Sequence, residues 1–370
     1  MIYYLRQSAV VQYMSSDKIW REELFCKCLE SAGHDTKLMT SDFDHYKKEK
    51  RDSNVLNKNI VFIKSLGYQS NTSLVRSLDA LIFSFNCIKY LRKNVKPTDI
   101  VIVAMPTPES LFAISLLKPF KKFTVIADFR DSWPRAFNSK NRIVHSLFSG
   151  YIYFLLKLSM RAIDKSIFMS QNLKIYYSKL MGSAESIVLP NPIPKLIPRP
   201  DIVEKKQIMF FGTINEQFNF QLLSHLLNID AIKDYDFVIY GDGYNLDALR
   251  RQYSNASRVF FKGSINYSVL LEKALEAKMF FIPFANPSNY ENHFSNKISE
   301  MIALGKPILT NVKNTIFQVD RSNYNIGLNF EALELLTKED LELFLDGFTI
   351  NSSGLEIEVF NTTILDTIKK

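Results

Sequence analysis

Short apolar segments alternate with helical patterns along the whole chain, and this alternation restricts the fold more than any other feature. In the first half the strand candidates are continuously apolar, which is typical of parallel strands buried on both faces. Helical spacing of apolar residues separates them, as crossover connections in a parallel sheet require. The predicted strands are 2–5, 37–40, 59–63, 99–104, 123–127 and 165–169, and the predicted helices cover about 17–32, 74–94, 108–118 and 142–163.

The same alternation begins again at residue 207, after a segment that cannot be the interior of a helix. Residues 190–200 contain five prolines, which fix φ and remove backbone donors. Strands are then predicted at 207–211, 235–240, 258–261, 278–282 and 307–310. A chain of 370 residues has room for two such units.

We therefore expect an α/β protein with two Rossmann-like parallel-sheet domains. The predicted boundaries are an N-terminal domain at 1–189, a proline-rich linker at 190–206 and a second domain at 207–350. For the C-terminal segment at 351–370, one interpretation is a helix that returns to the N-terminal domain.

The segment 292–310 predicts a polar loop, a short helix and a buried strand, in that order. Ser295 is a suitable N-cap, apolar residues recur at helical spacing from Ile298 to Ile302, and Gly305 is placed to end the helix. The free backbone N–H groups of a first helical turn, with the helix dipole behind them, suit a phosphate or a diphosphate.

Lys297 and Glu300 lie three residues apart on this predicted helix and therefore share a face. In a ligand site, the ammonium would contact a phosphate and the carboxylate would accept hydrogen bonds from sugar hydroxyls. The alternative is an ordinary surface ion pair, which contributes only about 0.3 kcal/mol. This segment taken by itself leaves both interpretations open.

Glycine follows three successive predicted strands of the second half, where an open parallel sheet binds its ligand. A glycine at a strand end lets a ligand approach the backbone closely, although turns between strands and helices favour glycine in any case. The residues predicted to line this ligand site are Gly212, Thr213, Asn215, Gly241, Asp242 and Gly243.

The corresponding place in the first half is the loop 128–134, which directly follows a predicted strand. It contains Asp128, Arg130 and Asp131, so two carboxylates and a guanidinium are concentrated at one strand end. This density of charge favours a functional loop and makes these three residues the catalytic candidates. An ion pair of Arg130 with Asp128 or Asp131 that only fixes the loop is the structural alternative.

Composition excludes several classes of protein. Three cysteines, Cys26, Cys28 and Cys87, are too few for a disulfide framework, and no second Cys/His pair at zinc spacing lies near Cys26. We therefore expect reduced thiols, no structural metal and no cofactor.

The N-terminus lacks the pattern of a signal peptide, and the longest apolar run, 151–156, is far shorter than the roughly 20 residues of a spanning helix. A cytoplasmic location is expected.

Charge is distributed unevenly between the halves, with a net charge of +12 over residues 1–190 and −4 over residues 191–370. Such asymmetry suggests attraction to nucleic acid or to an anionic membrane surface. Cations interleave with large apolar residues in three clusters, as they do in interfacial helices, so we expect peripheral association with the inner face of the cell membrane. The clusters are 89–96, 118–122 and 157–161.

In combination, these segments resemble the GT-B glycosyltransferases, and within them the family 4-like group that assembles bacterial surface polysaccharides such as O-antigen and capsule. The resemblance spans nearly the whole chain and depends on eight segments in the expected order. They are 31–35, 40–45, the 128–134 loop Asp-Phe-Arg-Asp-Ser-Trp-Pro, 188–193, 211–212, 240–243, 261–263 and 295–308.

The resemblance implies two domains facing each other across a cleft, with the nucleotide-sugar donor bound by the C-terminal domain. The diphosphate would lie over the backbone N–H groups of Ser295, Asn296 and Lys297, and Glu300 would hold the ribose. The family's first glutamate falls at Asn292 in this chain, which puts the identity of the donor sugar in doubt. A basic pair that often follows the first strand of this domain is missing, and Lys297 is expected to supply that charge.

The chemistry implied by the resemblance is transfer of a hexosyl or N-acetylhexosaminyl group from a nucleotide-sugar, expected to be UDP-linked, to a lipid-linked or oligosaccharide acceptor. The anomeric configuration would be retained without an obligatory metal. Asp131 or Asp128 would orient or deprotonate the acceptor hydroxyl, and His45 would line the acceptor side of the cleft.

Two functions from other classes remain open at this point. A GT-B-type sugar-nucleotide epimerase would share the nucleotide site but would turn over nucleotide-sugar without an acceptor. A non-catalytic nucleic-acid-binding protein is suggested only by the positive first half, and no arginine-rich motif, aromatic platform or zinc module supports it, so nucleic acid is not expected as a partner. The pair Asp42 and Asp44 resembles the metal-binding motif of a one-sheet glycosyltransferase fold, which would leave the second set of strands unexplained.

Overall fold

The computed structural model describes residues 1–10, 18–45, 47–51, 58–70, 73–105, 107–135, 142–180, 185–193, 202–243, 245–289, 296–319, 322–350, 352 and 354–369. These residues form two compact units. The first unit comprises the described residues of Met1–Ser15, Ile19–Leu189 and Phe360–Lys370, and the second comprises those of Ser16–Lys18 and Pro190–Val359.

The first unit is built on a seven-stranded sheet in which all neighbouring strands are parallel, in the order β5-β2-β1-β6-β7-β8-β9. A short antiparallel hairpin of β3 and β4 follows β2. The strands are β1 (Ile2–Leu5), β2 (Thr36–Ser41), β3 (Phe43–Asp44), β4 (Glu49–Lys50), β5 (Ile60–Ile63), β6 (Ile100–Met105), β7 (Thr124–Phe129), β8 (Lys165–Phe168) and β9 (Glu185–Val188). The helices are α1 (Arg21–Ser31), α2 (Leu74–Asn94), α3 (Pro108–Lys121), α4 (Arg142–Ser159) and α5 (Gln171–Ser178).

Helices α2 to α5 contribute to one apolar core with the sheet. Side chains such as Phe83, Ile114, Leu156 and Leu173, one from each of these helices, pack in the same cluster as the strand residue Val103. Each helix therefore buries one stripe against the sheet, as an amphipathic crossover helix does. Helix α3 continues three residues beyond its predicted end, through Pro119, which lies in its last turn.

The second unit is built on a six-stranded parallel sheet in the order β12-β11-β10-β13-β14-β17, with a separate antiparallel pair of β15 and β16. Its strands are β10 (Lys205–Phe211), β11 (Asp236–Tyr240), β12 (Val259–Gly263), β13 (Ala277–Ile282), β14 (Ile308–Thr310), β15 (Ile316–Val319), β16 (Ser322–Asn325) and β17 (Gly327–Asn329). Its helices are α6 (Leu222–Leu226), α7 (Leu246–Gln252), α8 (Tyr267–Leu275), α9 (Asn296–Ala303), α10 (Phe330–Glu334) and α11 (Lys338–Gly347).

The last helix, α12 (Ile357–Ile368), joins the first unit from Phe360 onward. The ring of Phe360 packs edge-on against Phe25 of α1, with 5.4 Å between the ring centroids, and the carbonyl of Asn361 accepts a hydrogen bond from Cys28 Sγ. The chain therefore leaves the first unit after Leu189 and returns to it at its C-terminal end.

The helical stretch that contains α4 is much longer than the continuous apolar run 151–156 within it. Arg142–Ala162 spans 21 residues and contains an 18-residue window with a mean hydropathy of 1.3, so by length and composition alone it could cross a membrane. The helix itself was predicted from the sequence at 142–163, but the continuous apolar run 151–156 is only part of its apolar surface, because polar residues interrupt that surface without ending the helix. The core helix of a soluble protein meets the same criteria, and α4 does bury Ile152, Leu155 and Leu156 against the sheet.

Candidate functional site

Three glycines bring the loops after β10 and β11 into direct backbone contact. A Cβ on Gly241 would lie 1.9 Å from the carbonyl oxygen of Gly212, and a Cβ on Gly243 would lie 2.0 Å from the carbonyl oxygen of Ile214. Gly212 N–H also donates to the carbonyl of Tyr240 at 2.9 Å. These loops lie at the carboxyl ends of neighbouring parallel strands, which is where open α/β sheets bind ligands.

Gly241→Ala is expected to lower the free energy of unfolding by roughly 2 kcal/mol or more, because φ is +138° and the added Cβ would overlap a backbone oxygen. Chemical denaturation measures this change. The matched control is Gly347→Ala at the end of α11, where a Cβ would meet nothing within 4 Å. Equal stability of the two variants would contradict the assignment of a tight glycine contact.

Lys297 lies across the first of these glycines. A Cβ on Gly212 would be 2.1 Å from Lys297 Cε, and Lys297 Nζ lies 4.4 Å from the ring centroid of Phe218 and 5.5 Å from that of Phe210. The side chain keeps partial solvent exposure, but burial lowers the pKa of its ammonium to about 8; Glu300 opposes this shift and Lys18 adds to it. A cation held by aromatic rings beside a glycine turn is suited to an anionic ligand.

Glu300 lies one turn further along α9 and is buried. Its Oε1 accepts from Lys18 Nζ at 2.5 Å and from the Tyr267 hydroxyl at 3.1 Å. Lys18 Nζ also lies 5.0 Å from the ring centroid of Tyr267. The Lys18 ammonium therefore compensates the buried carboxylate. Burial raises the pKa of Tyr267, and the negative charge of Glu300 raises it further.

The remaining donor-site candidates of the second unit lie around these groups. Thr213 and Asp242 are exposed on the loops after β10 and β11, and Asn215 Oδ1 accepts from the backbone N–H of Gln217 at 3.0 Å. Helix α9 begins at Asn296 as predicted, and Gly305 follows it with a φ of +70°. Asn292 and Ser295 lie outside the described residues.

In the first unit, the catalytic candidate Asp128 is fully buried near the end of β7. Its Oδ2 accepts from the Tyr4 hydroxyl at 2.5 Å and from Arg130 Nε at 3.1 Å, and its Oδ1 accepts from Arg21 Nη2 at 3.0 Å. Burial raises the pKa of Tyr4, and the neighbouring Asp128 charge raises it further. The structural alternative from the sequence, an ion pair of Asp128 with Arg130, is thus present.

The network continues through Glu22 of α1, which is also buried. Its Oε2 accepts from Arg130 Nη1 at 3.0 Å and from Arg6 Nη1 at 3.1 Å. Its Oε1 is buried and has no hydrogen-bond partner among the described residues. Three guanidiniums thus surround two carboxylates in the interior of the first unit, an arrangement that holds β1, α1 and the end of β7 together.

Asp131 is the loop carboxylate that remains partly exposed. Its backbone carbonyl accepts from the Tyr177 hydroxyl at 2.9 Å and from the backbone N–H of Trp133 at 3.1 Å, so the loop is fixed on its inner side. Of the three catalytic candidates, Asp131 therefore has the side chain most accessible to a ligand.

His45 belongs to a separate cluster after the β3 strand. Its Nδ1 is hydrogen-bonded to the Tyr68 hydroxyl, and Lys48 Nζ lies 4.5 Å from the Tyr68 ring centroid. Burial, together with the positive charges of Lys48 and Arg76, lowers the pKa of His45 to about 4. His45 is consequently neutral at physiological pH and can exchange hydrogen bonds with an uncharged hydroxyl.

No family model matches the chain, and no curated protein matches it in sequence. Solved structures do match. The sucrose-phosphate synthase of Thermosynechococcus elongatus aligns over 99% of this chain and 96% of its own at 13% identity, with a TM-score of 0.66. HepE of Anabaena, solved in complex with UDP, aligns over 99% of both chains at 13% identity, with a TM-score of 0.60. The apo structure of OtsA aligns over 100% and 99% at 9% identity, with a TM-score of 0.58.

These likenesses, together with the two parallel sheets, confirm the fold predicted from the sequence: the chain has the GT-B fold with two Rossmann-like domains. At such low identity the comparisons establish the fold alone.

Several residues of these clusters have no signal in the sequence. Lys18 and Tyr267 contact Glu300 across separations of 282 and 33 residues, and Tyr4 contacts Asp128 across 124 residues. Only the basic and aromatic character of each position is visible in the sequence. A motif around Glu300 or Asp128 could not have identified these partners.

Proposed function

We propose that the protein is a glycosyltransferase that moves a hexosyl or N-acetylhexosaminyl group from a UDP-linked sugar to a sugar hydroxyl. The acceptor in this proposal is lipid-linked, and the pathway is assembly of a bacterial surface polysaccharide of the O-antigen or capsule type. The observation that carries the proposal is Lys297, a cation held by aromatic rings across the Gly212 turn at the ligand-binding edge of a parallel sheet. UDP bound to HepE, which shares the fold, supports a uridine nucleotide.

In the proposed reaction the bond between the sugar C1 and the diphosphate oxygen breaks, and its electron pair stays on the diphosphate. Lys297 and the first backbone N–H groups of α9 stabilise this developing charge, which is where fixed donors lower a barrier most. The acceptor oxygen attacks C1 from the same face, so the configuration is retained. No step requires a metal.

Asp131 is proposed to orient the acceptor hydroxyl and to receive its proton, because it is the accessible carboxylate of the 128–134 loop. Asp128 and Arg130 are proposed to position that loop from inside the first unit. Neutral His45 is proposed to contact acceptor hydroxyls. In the second unit, Glu300 is proposed to exchange its Lys18 contact for hydrogen bonds from the donor's hydroxyls.

A thermal-shift screen of UDP-, GDP- and TDP-sugars tests the donor class. A ligand at about 100 times its dissociation constant stabilises the fold by roughly 2.7 kcal/mol, so a specific donor produces a clear increase in melting temperature. We expect UDP-sugars to give the largest shift. The proposal fails if no nucleotide-sugar shifts the transition, or if a UDP-sugar is converted at full rate without any acceptor.

Glu300→Gln is expected to weaken UDP-sugar binding about tenfold, because charged acceptors make stronger hydrogen bonds to hydroxyls than amides do. The free energy of unfolding should change by about 1 kcal/mol at most, since Lys18 is partly exposed and Gln keeps an acceptor for Tyr267. Isothermal titration and denaturation separate the two effects. Glu331→Gln on the surface of α10 is the charge-matched control.

A further inference from the structure

The outer surface of α2, α3 and α4 is apolar, although each helix already buries one stripe in the core. On α2 the exposed residues Leu74, Leu78, Leu81 and Phe85 form a second stripe; Leu74 is 87% exposed and Phe85 64%. Their spacing of three or four residues places them on one side of the helix. A helix that is apolar on opposite sides needs a second apolar environment besides the core.

The same pattern continues on α3 and α4. Phe120 of α3 is 84% exposed, one turn after the exposed Leu116, and on α4 Leu147 is 71% and Phe154 58% exposed. Helix α3 packs between α2 and α4, so the three stripes lie on one side of the first unit. We call this surface, defined by α2, α3 and α4, the outer helical face.

The exposed ionic side chains of α2, α3 and α4 are all cationic. All residues of the three helices are described, and their only two carboxylates, Asp79 and Glu109, are buried. Burial also raises the pKa of Glu109. The exposed cations on these helices and directly after them are Lys89, Arg92, Lys93, Lys96, Lys122, Arg142, Lys157 and Arg161, and Lys121 is partly exposed. The exposed carboxylate that follows α4, Asp164, is paired with Lys118.

A groove of about 670 Å³ opens between the C-terminal ends of α3 and α4. Its walls are partly apolar, with Leu116 and Leu158, and partly cationic, with Lys118, Lys122 and Arg161. Lys118 Nζ is paired with Asp164 at 2.6 Å, whereas Lys122 and Arg161 are exposed. The groove therefore combines apolar contact surface with cations suited to a phosphate ester.

We infer that the outer helical face docks on an anionic phospholipid leaflet, with its apolar side chains inserted between the lipids and its cations against headgroup phosphates. Exposed apolar area and positive charge are the two features that bind an interfacial helix to such a surface. The inference deepens the proposed function, because it brings the first unit to the surface where a lipid-linked acceptor would reside.

The packing of α4 indicates that it lies in the plane of the membrane rather than across it. Ile152, Leu155 and Leu156 are part of the core beneath it, and a spanning orientation would remove them from the sheet. A second copy of the chain is a less suitable occupant. A two-fold dimer through the outer helical face would place cations opposite cations, without an exposed carboxylate on these helices to pair with them.

Flotation with phosphatidylcholine vesicles, with and without phosphatidylglycerol, tests the inference. The wild-type protein should float with the anionic vesicles and be released by high salt. Phe120→Glu combined with Phe154→Glu should lower the partition coefficient at least about tenfold, since two large apolar contacts are replaced by charges of the wrong sign. The matched control is Leu335→Glu combined with Leu343→Glu, which changes two exposed apolar residues of the second unit.

A second double variant and its control, which reverse cations and leave the apolar residues unchanged, separate electrostatic attraction from insertion. Lys121→Glu combined with Lys122→Glu should also weaken binding to anionic vesicles about tenfold or more, whereas Lys262→Glu combined with Lys313→Glu should not. Brominated lipid should quench the additional tryptophan fluorescence of the Phe154→Trp variant but not that of the Leu343→Trp variant. Equal vesicle binding by the face variants and their controls would overturn the inference, and so would concentration-dependent dimerisation that Phe154→Glu abolishes.

These measurements do not depend on the transferase activity. Wild-type protein that binds UDP-sugars but not anionic vesicles would contradict the docking surface and leave the proposed reaction intact. Vesicle binding by a protein that binds no nucleotide-sugar would support the docking surface and contradict the proposed reaction.

Discussion

Asp128→Ala is expected to lower the free energy of unfolding by roughly 3–5 kcal/mol, a large part of the stability of an ordinary domain. The carboxylate is fully buried and accepts hydrogen bonds from Tyr4, Arg21 and Arg130. Its removal leaves two buried guanidiniums with Glu22 as the remaining carboxylate of the network. Urea denaturation measures the loss, and circular dichroism shows whether the variant still folds.

Asp131→Ala is the control within the same loop. Its side chain is partly exposed, so the free energy of unfolding should change by about 0.5 kcal/mol or less, whereas kcat should fall by a factor of about 100 if it receives the acceptor proton. Asp128→Ala with wild-type stability and no activity would contradict the positioning role. It would instead favour direct catalysis by Asp128.

The sequence predicted the fold well because the relevant signals are local. Continuous apolar runs such as 99–104 and 207–211 became central strands β6 and β10, and parallel sheets require the helices predicted between them. The additional edge strands β9 and β17 were missed. They are short and only partly apolar, so they depend on pairing with β8 and β14 rather than on their own pattern.

The site was predictable only where its chemistry lies within one segment. The position of Lys297 followed from helical spacing and from the missing basic pair after Gly212, whereas its aromatic surroundings depend on Phe210 and Phe218 from another part of the chain. The charge density of the 128–134 loop was visible in the sequence. That it divides into buried Asp128 and partly exposed Asp131 depends on Arg21 and Tyr4, which only the fold brings close.

The outer helical face was also only partly predictable from the sequence. Its cations were recognised in the sequence as clusters between large apolar residues. Which of those apolar residues enter the core could not be decided, because α2 and α4 are apolar on more than one side. Packing against the sheet selects Phe83 and Leu156 for burial and leaves Phe85 and Phe154 outside.

Lys297→Met should have the largest effect on the reaction. It keeps the length of the side chain over Gly212 but removes the charge, so UDP affinity should fall by roughly 10- to 100-fold and kcat by about 100-fold or more. Stability should not fall, because the variant no longer buries an ammonium. Titration calorimetry and single-turnover transfer measure the two losses; unchanged UDP affinity would contradict the diphosphate contact.

The lowered pKa of Lys297 gives this prediction a pH dependence with a defined sign. With a pKa of about 8 in the folded protein, the free enzyme loses the ammonium as pH rises above 8, so UDP affinity should decrease there. Stability should change in the opposite direction. Between pH 8 and the ordinary lysine pKa of 10.5 the unfolded chain binds the extra proton, so the contribution of this group to the free energy of unfolding rises with pH. Lys297→Met should remove both dependences, and Lys313→Met, an exposed lysine of the same unit, should keep them.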